Sequence, residues 1–265
     1  MKVALAQSNI IWEDKEKNAA NAVKFILQAI HGGAEAIFFP EMSLTGFSMN
    51  IKVTAEKEET TICRFSKLAS QYNIVIGIGW TKQRGELAEN HYTIIGSQGE
   101  VLSDYVKIHP FSYANEDKFF IPGTEISYFK LGDYHWSNFI CYDLRFPELF
   151  QIASYKAGVI LIPANWPKKR ERHWKSLLTA RAIENQCYIL AVNCVGMING
   201  IEYSGGSCGI SPDGEILELL DGEEGIIIVE LSENIEELRR SFPVKQDRRW
   251  DLYISKYGGR NDSNR

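Results

Sequence analysis

Hydrophobic residues recur with two spacings along the first half of the chain, and these spacings predict alternating strands and helices. Short apolar runs indicate buried strands, and apolar positions three and four apart indicate helices that pack on them. The predicted elements follow one another as residues 3–7, 18–30, 36–40, 62–72 and 74–80. The order strand, helix, strand, helix, strand is typical of a parallel sheet covered by helices.

The rest of the chain adds hairpins to this pattern. Two alternating strands over residues 91–107 turn at residues 97–100, and a second hairpin over residues 207–219 turns at a Pro-Asp-Gly segment. Further core elements are predicted as a strand at 159–163, a helix at 173–186, a strand at 188–195 and a strand at 226–231. Hairpins combined with helical crossovers require more than one sheet, which predicts an α/β fold built as a four-layer αββα sandwich.

Length and composition favour one domain. The chain has 265 residues, of which 45% are hydrophobic, enough for one large core. We therefore predict a single domain over residues 1–265, with one short helix after residue 233 and a polar tail from about residue 245.

Charge and cysteine usage restrict the partners and the compartment. The formal net charge of -5 argues against a nucleic-acid partner, and the basic cluster at residues 168–172 is interpreted as a solvated loop or helix start. The opening apolar run is broken by Gln7 and Ser8 and is too short for a signal or membrane segment. Five cysteines, an odd number without a pairing pattern, indicate a reduced, cytoplasmic protein.

Cys141 stands out because a strand delivers it directly into a turn. The apolar run 136–140 precedes it, and Pro147 with Glu148 predicts the start of a helix shortly after it. Such an elbow places the thiol near backbone N–H groups, which would favour the thiolate. The alternative is a small buried hydrophobe, the interpretation given to the remaining cysteines Cys63, Cys187, Cys194 and Cys208.

Two further polar residues share the position of Cys141 at the end of a strand. Glu41 follows the strand at 36–40, and Lys107 follows the second strand of the first hairpin. Taken singly, the first is interpreted as a solvated loop charge and the second as protection of a sheet edge. Because ligands collect at the carboxyl ends of strands, all three can face one cleft.

Together these residues fit the hydrolysis of an amide through a thioester. Glu41 would move protons between the thiol, the leaving nitrogen and the attacking water, while Lys107 and the backbone N–H of Tyr142 would bind the oxyanion. A second carboxylate would keep the lysine charged and oriented, and Glu116 is the candidate. The alternative for Glu116 is a solvated acid beside Asp117.

Three motifs carry a resemblance to a known family. FPEMSLTGF around Glu41, YVKIHPF around Lys107 and FICYDLRFPE around Cys141 resemble the three catalytic signatures of the nitrilase (carbon–nitrogen hydrolase) superfamily, in the same order. The likeness extends over nearly the whole chain through ALAQ, the segment beginning PANWPKK, and GGSCGISPDGE. It implies an αββα sandwich, no metal or organic cofactor, a Glu–Lys–Cys triad with a second glutamate, and homo-oligomers built from a dimer.

Within the superfamily the segments resemble the ω-amidase branch, whose members hydrolyse 2-oxoglutaramate and 2-oxosuccinamate. Nitrile-cleaving members typically have Trp-Glu after the nucleophile, whereas this chain has Tyr142 and Asp143. The expected partner is therefore a small amide, with no nucleic acid or membrane, and the expected assembly is a homodimer. Hydrolysis of N-carbamoyl amino acids or of other small aliphatic amides is the alternative within the superfamily.

Recognition of the substrate is assigned to residues near the nucleophile. A substrate carboxylate needs a fixed cation, which Arg145 offers, unless it forms a structural ion pair with Asp143 or Glu148. Trp166 would form a wall of the site, and its alternative is an ordinary core aromatic. The side chain of Tyr142 is expected beside the substrate.

Other classes of protein remain as alternatives. A cysteine–histidine hydrolase would use His109, which lies two residues after Lys107 and would share its face if the strand continued. Pro110 argues against that continuation, and no orienting partner for His109 is evident. A pocket that binds without catalysis would require a degenerate triad, whereas all three positions are intact. A metalloenzyme is disfavoured because the five histidines are isolated.

Overall fold

The structure, a computed structural model, describes residues 1–232 and 234–258. The chain forms two compact units, Met1–Glu233 and Asn234–Arg265. The break precedes residue 245, where the sequence predicts the polar tail to begin, and the last seven residues of that tail lie outside the described part. In the described residues no helix is long and apolar enough to cross a membrane.

Strands and helices of the first unit alternate much as the sequence predicts. The strands are β1 (Lys2–Gln7), β2 (Ala36–Phe38), β3 (Val75–Arg84), β4 (Leu87–Ile95), β5 (Val101–Val106), β6 (Phe129–Leu131), β7 (Tyr134–Asn138), β8 (Val159–Ala164), β9 (Tyr188–Asn193), β10 (Val195–Ile198), β11 (Ile201–Ile210), β12 (Ile216–Asp221) and β13 (Gly225–Glu230). The helices are α1 (Lys15–His31), α2 (Ile51–Thr54), α3 (Thr60–Tyr72), α4 (Pro147–Ala153) and α5 (Glu171–Asn185). The elements α2, β6 and β10 were not predicted, because three or four residues are too short to show a period.

The first sheet has the order β13-β1-β2-β3-β4-β5 and is covered on one face by α1 and α3. Asp14 caps the start of helix α1, because its side chain accepts a hydrogen bond from the Lys17 N–H. Its apolar face buries Phe25, which contacts Phe39 edge to face at 6.5 Å, and Phe39 in turn contacts Phe65 of α3 at 6.2 Å. Each fully buried aromatic ring of this kind stabilises the fold by roughly 1.5–3 kcal/mol.

The second sheet has the order β10-β11-β9-β8-β7-β6, with β12 paired to β11, and α5 packs on β9 and β11 and contacts α4. The two sheets face each other, since β1 lies against β9 and β11. The rings of Phe38 and Trp136, one from each sheet, are 5.6 Å apart and fully buried. The four-layer αββα sandwich predicted from the sequence is confirmed.

The segment after β2 lies directly on β3, and Gly79 makes this contact possible. A Cβ atom on Gly79 would lie 2.5 Å from the backbone nitrogen of Met42 and 2.8 Å from the carbonyl oxygen of Pro40. The N–H of Ser43 donates to the Gly79 carbonyl oxygen, and the Gly79 N–H donates to Ser43 Oγ, both at 3.0 Å. Glu41, in the middle of this segment, is thereby held by the backbone at the end of the sheet.

The second unit contains α6 (Ile235–Ser241) and α7 (Trp250–Tyr257). Asn234 caps the start of helix α6, because its side chain accepts a hydrogen bond from the Glu237 N–H. The prediction of one short helix in this region was wrong, because α7 has only eight residues and is too short to show a clear helical period.

The cysteines divide differently from the prediction. Cys187, Cys194 and Cys208 are buried as predicted, but Cys63 is exposed on the outer face of α3, so its assignment to the core was wrong. All five cysteines are free thiols.

Candidate active site

Two buried carboxylates and one buried ammonium meet at the carboxyl ends of the strands. Lys107 Nζ donates to Glu41 Oε1 at 2.7 Å and to the two oxygens of Glu116 at 3.1 and 2.9 Å. All three side chains are almost completely excluded from solvent. The structure thus brings Glu116 to Lys107, as the sequence predicts, and places it in the interior rather than in a solvated loop.

Neutral donors complete the coordination of these carboxylates. Asn90 Nδ2 donates to Glu41 Oε1 at 2.9 Å and to Glu116 Oε1 at 3.1 Å. The N–H of Phe111 donates to Glu116 Oε2 at 2.5 Å, and the N–H of Asn165 donates to Glu41 Oε2 at 3.1 Å. If the Asn90 amide were reversed, its Oδ1 would face the Glu41 and Glu116 oxygens and three acceptors would repel one another, so these contacts fix its orientation.

Burial and neighbouring charges act in opposite directions on this cluster. Burial alone would lower the pKa of Lys107, but the charges of Glu116 and Glu41 outweigh it and raise that pKa above its ordinary value. Burial raises the pKa of Glu116, and the charge of Lys107 opposes this rise only in part. Lys107 is therefore a permanently charged group, available to bind a developing oxyanion.

Cys141 begins a 3₁₀ turn (Cys141–Arg145) after β7 and adopts a left-handed backbone conformation, with φ of 45°. This conformation is unfavourable for a residue with a side chain and is concentrated at functional sites. The backbone N–H of Tyr142 lies in the first turn, where N–H groups have no partner within the turn. The predicted elbow is present, and it exposes part of the thiol to a cavity.

The resting thiol is neutral, which corrects the expectation of a thiolate. Burial first, and then the charge of Glu41, raise the pKa of Cys141 well above its ordinary value, while Lys107 only partly opposes them. The local elbow suggested the opposite because it reveals neither the burial of the thiol nor the carboxylate of Glu41, which comes from a distant strand. A neutral thiol has to lose its proton to a base as it attacks.

Asp143 anchors the nucleophile turn. Its buried carboxylate accepts hydrogen bonds from the Tyr105 hydroxyl at 2.8 Å, from the Ile140 N–H at 3.0 Å and from the His109 N–H at 2.9 Å. The ring of His109 also contacts Asp143, through Nδ1 at 2.9 Å, and stacks on Phe146 at 3.6 Å. His109 therefore helps to hold the turn, and this position does not support its role as the partner of Cys141.

A cavity of about 660 Å³ opens above Cys141 and Lys107. Trp166 lies in its wall, and its indole N–H donates to the carbonyl oxygen of Arg170 at 2.8 Å. Tyr142 lines the cavity too, and its ring contacts Phe111 at 4.8 Å. The sequence-predicted residues Tyr142, Arg145 and Trp166 all line this cavity.

Arg145 and Arg170 contribute two guanidinium groups to the cavity wall. In the described residues neither forms an ion pair, so the expected alternative for Arg145, a salt bridge to Asp143 or Glu148, does not occur. Arg145 instead lies over the Trp166 ring at 4.7 Å. Burial first, and then the charge of Arg170, lower the pKa of Arg145, which shows that the two cations lie near each other.

Sequence reasoning missed Arg170. The basic cluster was interpreted as a solvated loop or helix start, and α5 indeed begins at Glu171, but Lys168, Lys169 and Arg170 line the cavity. Lys168 is paired with Glu202 at 2.7 Å, whereas the guanidinium of Arg170 lies over the rings of Phe111 and Tyr113. No local signal distinguishes Arg170 from its neighbours, because only the fold turns it toward the thiol.

No group of three or more His, Cys, Asp or Glu side chains that could hold a metal ion occurs within residues 1–232 and 234–258.

Comparison with known proteins connects this site to a family. The sequence model of the carbon-nitrogen hydrolase family matches residues 2–240. A 2-oxoglutaramate amidase of Bacillus subtilis is 34% identical over 257 residues, which cover 95% of this chain and 98% of that protein. Omega-amidase YafV of Escherichia coli is 32% identical over 253 residues, which cover 93% of this chain and 96% of that protein.

Solved structures show the same fold. An amidase from Nesterenkonia sp. AN1 superimposes with a TM-score of 0.88 at 26% identity, covering 97% of this chain and 99% of that one. A glutamate-to-glutamine variant of that amidase carries acrylamide joined to the active-site cysteine by Michael addition.

We predict that removing the buried cation destabilises the protein in a pH-dependent way. In Lys107→Met the buried carboxylates have no counter-charge, so the pKa of Glu116 rises further. An acid whose pKa is raised in the folded state contributes stability below its unfolded pKa and loses that contribution as pH rises through the folded pKa. The free energy of unfolding should fall by about 3–5 kcal/mol near neutral pH and recover partly near pH 5.

Urea denaturation at pH 5 and pH 8 measures this effect. The control is Lys175→Met, because Lys175 also contacts two carboxylates, Glu171 at 2.6 Å and Asp221 at 3.4 Å, but is exposed. The Lys175→Met substitution should lower the free energy of unfolding by less than about 1 kcal/mol. Equal, pH-independent losses in the two variants would contradict the prediction.

Proposed function

Because the chain belongs to the carbon–nitrogen hydrolase family, we propose that this amide hydrolase is an ω-amidase, which releases ammonia from the terminal amide of a short 2-oxo dicarboxylic acid. The first substrates to test are 2-oxoglutaramate and 2-oxosuccinamate. The observation that carries the proposal is the pair of guanidinium groups of Arg145 and Arg170, which share a cavity with Cys141 and have no carboxylate partner among the described residues. The names of the related 2-oxoglutaramate amidase and omega-amidase support the same substrate class.

Acylation starts from the neutral thiol. Cys141 Sγ attacks the amide carbon while Glu41 accepts the thiol proton, and the carbonyl oxygen becomes an oxyanion. Lys107 Nζ and the backbone N–H of Tyr142 are the donors assigned to this oxyanion. Glu116 keeps Lys107 charged and in place.

The tetrahedral intermediate collapses when Glu41 gives its proton to the amide nitrogen. The carbon–nitrogen bond breaks, ammonia leaves and the acyl group remains on Cys141 as a thioester. Glu41 is ionised again and can accept a proton from water. Attack of that water on the thioester releases the carboxylic acid, and Glu41 returns the proton to the Cys141 sulfur, so that Glu41 serves as base, acid, base and acid in turn.

The distal carboxylate of the substrate is assigned to Arg145 and Arg170. A guanidinium matches a carboxylate with two parallel hydrogen bonds, and desolvation in the cavity strengthens such a pair. The Arg145 guanidinium stacks over the Trp166 ring, so the cation is already positioned before the substrate binds. The aromatic wall then limits the length of the acyl chain.

We also propose a cytoplasmic homodimer that binds its small substrate without nucleic acid or membrane. Five free cysteines fit a reducing compartment. Ile152 of α4 and Ile183 of α5 are each 51% exposed on helices that contact each other, and we assign these two helices to the contact with a second copy. The molar mass in solution, measured by light scattering, should be twice that of the 30.1 kDa chain, and a mass of one chain would refute the dimer.

We predict that Cys141→Ala abolishes turnover without unfolding the protein, because no other thiol can form the acyl-enzyme. Activity should fall on the order of 10⁴-fold or more, and Glu41→Gln should be nearly as inactive. Mass spectrometry of quenched wild type should detect the acyl adduct on Cys141. The control Cys208→Ala removes a buried thiol away from the cavity and should retain its activity per folded molecule. A Cys141→Ala protein within tenfold of wild type would exclude the mechanism.

We predict that a substrate with the distal carboxylate has a kcat/KM about thirtyfold or more above that of a neutral amide of equal length. The reason is that a buried charge-assisted pair contributes roughly 2 kcal/mol. The measurement compares 2-oxosuccinamate with a neutral amide of equal length and with an N-carbamoyl amino acid. Arg145→Met and Arg170→Met should each reduce this preference, whereas Arg172→Met, in the same basic cluster but exposed outside the cavity, should leave it unchanged. Equal turnover of the neutral amide, or a preference for the carbamoyl compound, would overturn the ω-amidase assignment.

A further inference from the structure

Asn165 contacts the base and the nucleophile at the same time. It follows β8 directly, at the carboxyl end of the second sheet, and is buried beside the cavity. Its N–H donates to Glu41 Oε2 at 3.1 Å, and its side-chain Nδ2 donates to the Glu41 carbonyl oxygen at 2.5 Å. Its own carbonyl oxygen lies 3.8 Å from Cys141 Sγ and accepts from that thiol.

We propose that Asn165 is a positioning residue that sets Glu41, on the first sheet, against Cys141, on the second. The inference rests on the proposed roles of Glu41 as base and Cys141 as nucleophile. The carboxylate of Glu41 is held from both sides, because one oxygen accepts from Lys107 and the other from the Asn165 N–H. The side chain of Asn165 adds a third point of attachment, at the backbone of Glu41.

The orientation of the Asn165 amide is determined by its neighbours. Oδ1 accepts from the thiol of Cys194 at 3.2 Å, while Nδ2 faces the Glu41 carbonyl oxygen. Reversing the amide would set two acceptor oxygens against each other and two donors against each other. Asparagine offers the donor and the acceptor on two separate atoms, as this arrangement requires, whereas a serine or threonine hydroxyl would have to supply both from one atom.

The backbone beside Asn165 is held equally firmly. Asn193, the last residue of β9, accepts from the Trp166 N–H at 2.8 Å and donates to the Trp166 carbonyl oxygen at 3.0 Å. Asn165 therefore joins a fixed wall of the second sheet to the catalytic glutamate of the first. Loss of its side chain would free the Glu41 backbone, and a displacement of about 1 Å at a reacting group can cost on the order of a hundredfold in rate.

The test compares an amide with the methyl ester of the same acid. Acylation by the amide needs Glu41 twice, as base for the thiol and as acid for the leaving nitrogen, whereas an alkoxide leaves with less help from an acid. A displaced Glu41 therefore slows the amide more than the ester. A change that only disturbs the fold or substrate binding slows both by the same factor.

We expect Asn165→Ala to lower kcat/KM on the order of a hundredfold for the amide but only about tenfold for the ester. The KM for either substrate should change less than about threefold. Asn165→Asp keeps the shape, loses the donor and should change the amide-to-ester ratio in the same direction, which maintains the test if the alanine variant does not fold. Glu41→Gln, which removes the proton-transferring group itself, shows how far the ratio of amide to ester kcat/KM changes when the role of Glu41 is lost. Asn185→Ala, which removes another buried asparagine on α5, should leave the ratio unchanged.

Equal losses for the amide and the ester, or rates within twofold of wild type in both Asn165 variants, would overturn the inference. An unchanged ratio in Glu41→Gln would overturn both the inference and the proposed role of Glu41. If the wild type hydrolyses another amide instead of the 2-oxo acid amides, the substrate proposal fails. The same comparison with that amide and its ester then decides the role of Asn165.

Discussion

The site depends on one buried ammonium shared by two buried carboxylates. Removing three charges from water costs several kcal/mol per ion, and one cation cannot neutralise two anions. The negative charge that Lys107 leaves unbalanced is stabilised by hydrogen bonds from N–H donors. These donors belong to Asn90, Phe111 and Asn165, which come from three separate parts of the chain. The strand ends therefore have to converge to within hydrogen-bonding distance, and this requirement accounts for the tight contact of the Glu41 segment with Gly79.

Burial and the charge imbalance together determine the protonation state of the nucleophile. Burial first, and then the negative charge of Glu41, raise the pKa of Cys141 and keep its thiol protonated, although a lysine is nearby. Proton transfer is thus coupled to attack on the carbonyl carbon, and the same carboxylate that suppresses the thiolate is the group that removes the proton. A neutral resting thiol is also less open to chance oxidation or alkylation than a thiolate.

The sequence predicts the fold and the central residues because each is marked locally. Glu41, Lys107 and Cys141 follow apolar strands directly, and strand ends converge in α/β proteins. Contacts across long stretches of chain carry no such mark: Asn165 meets Glu41 124 residues away, and Arg170 reaches the cavity only through the fold. The direction of the Cys141 pKa shift was mispredicted because neither of its causes is marked locally: burial of the thiol comes first, and the charge of Glu41, on the other sheet, comes second.

Because the site is divided between the two sheets, catalytic activity depends on their being packed together. Glu41 belongs to the first sheet and Cys141 to the second, and the two sheets are joined in the core by contacts such as that of Phe38 with Trp136. A compact intermediate with both sheets formed but not yet docked would retain its circular-dichroism signal and have no catalytic site. Catalysis would then appear as the last step of folding and disappear as the first step of thermal inactivation, ahead of any loss of secondary structure.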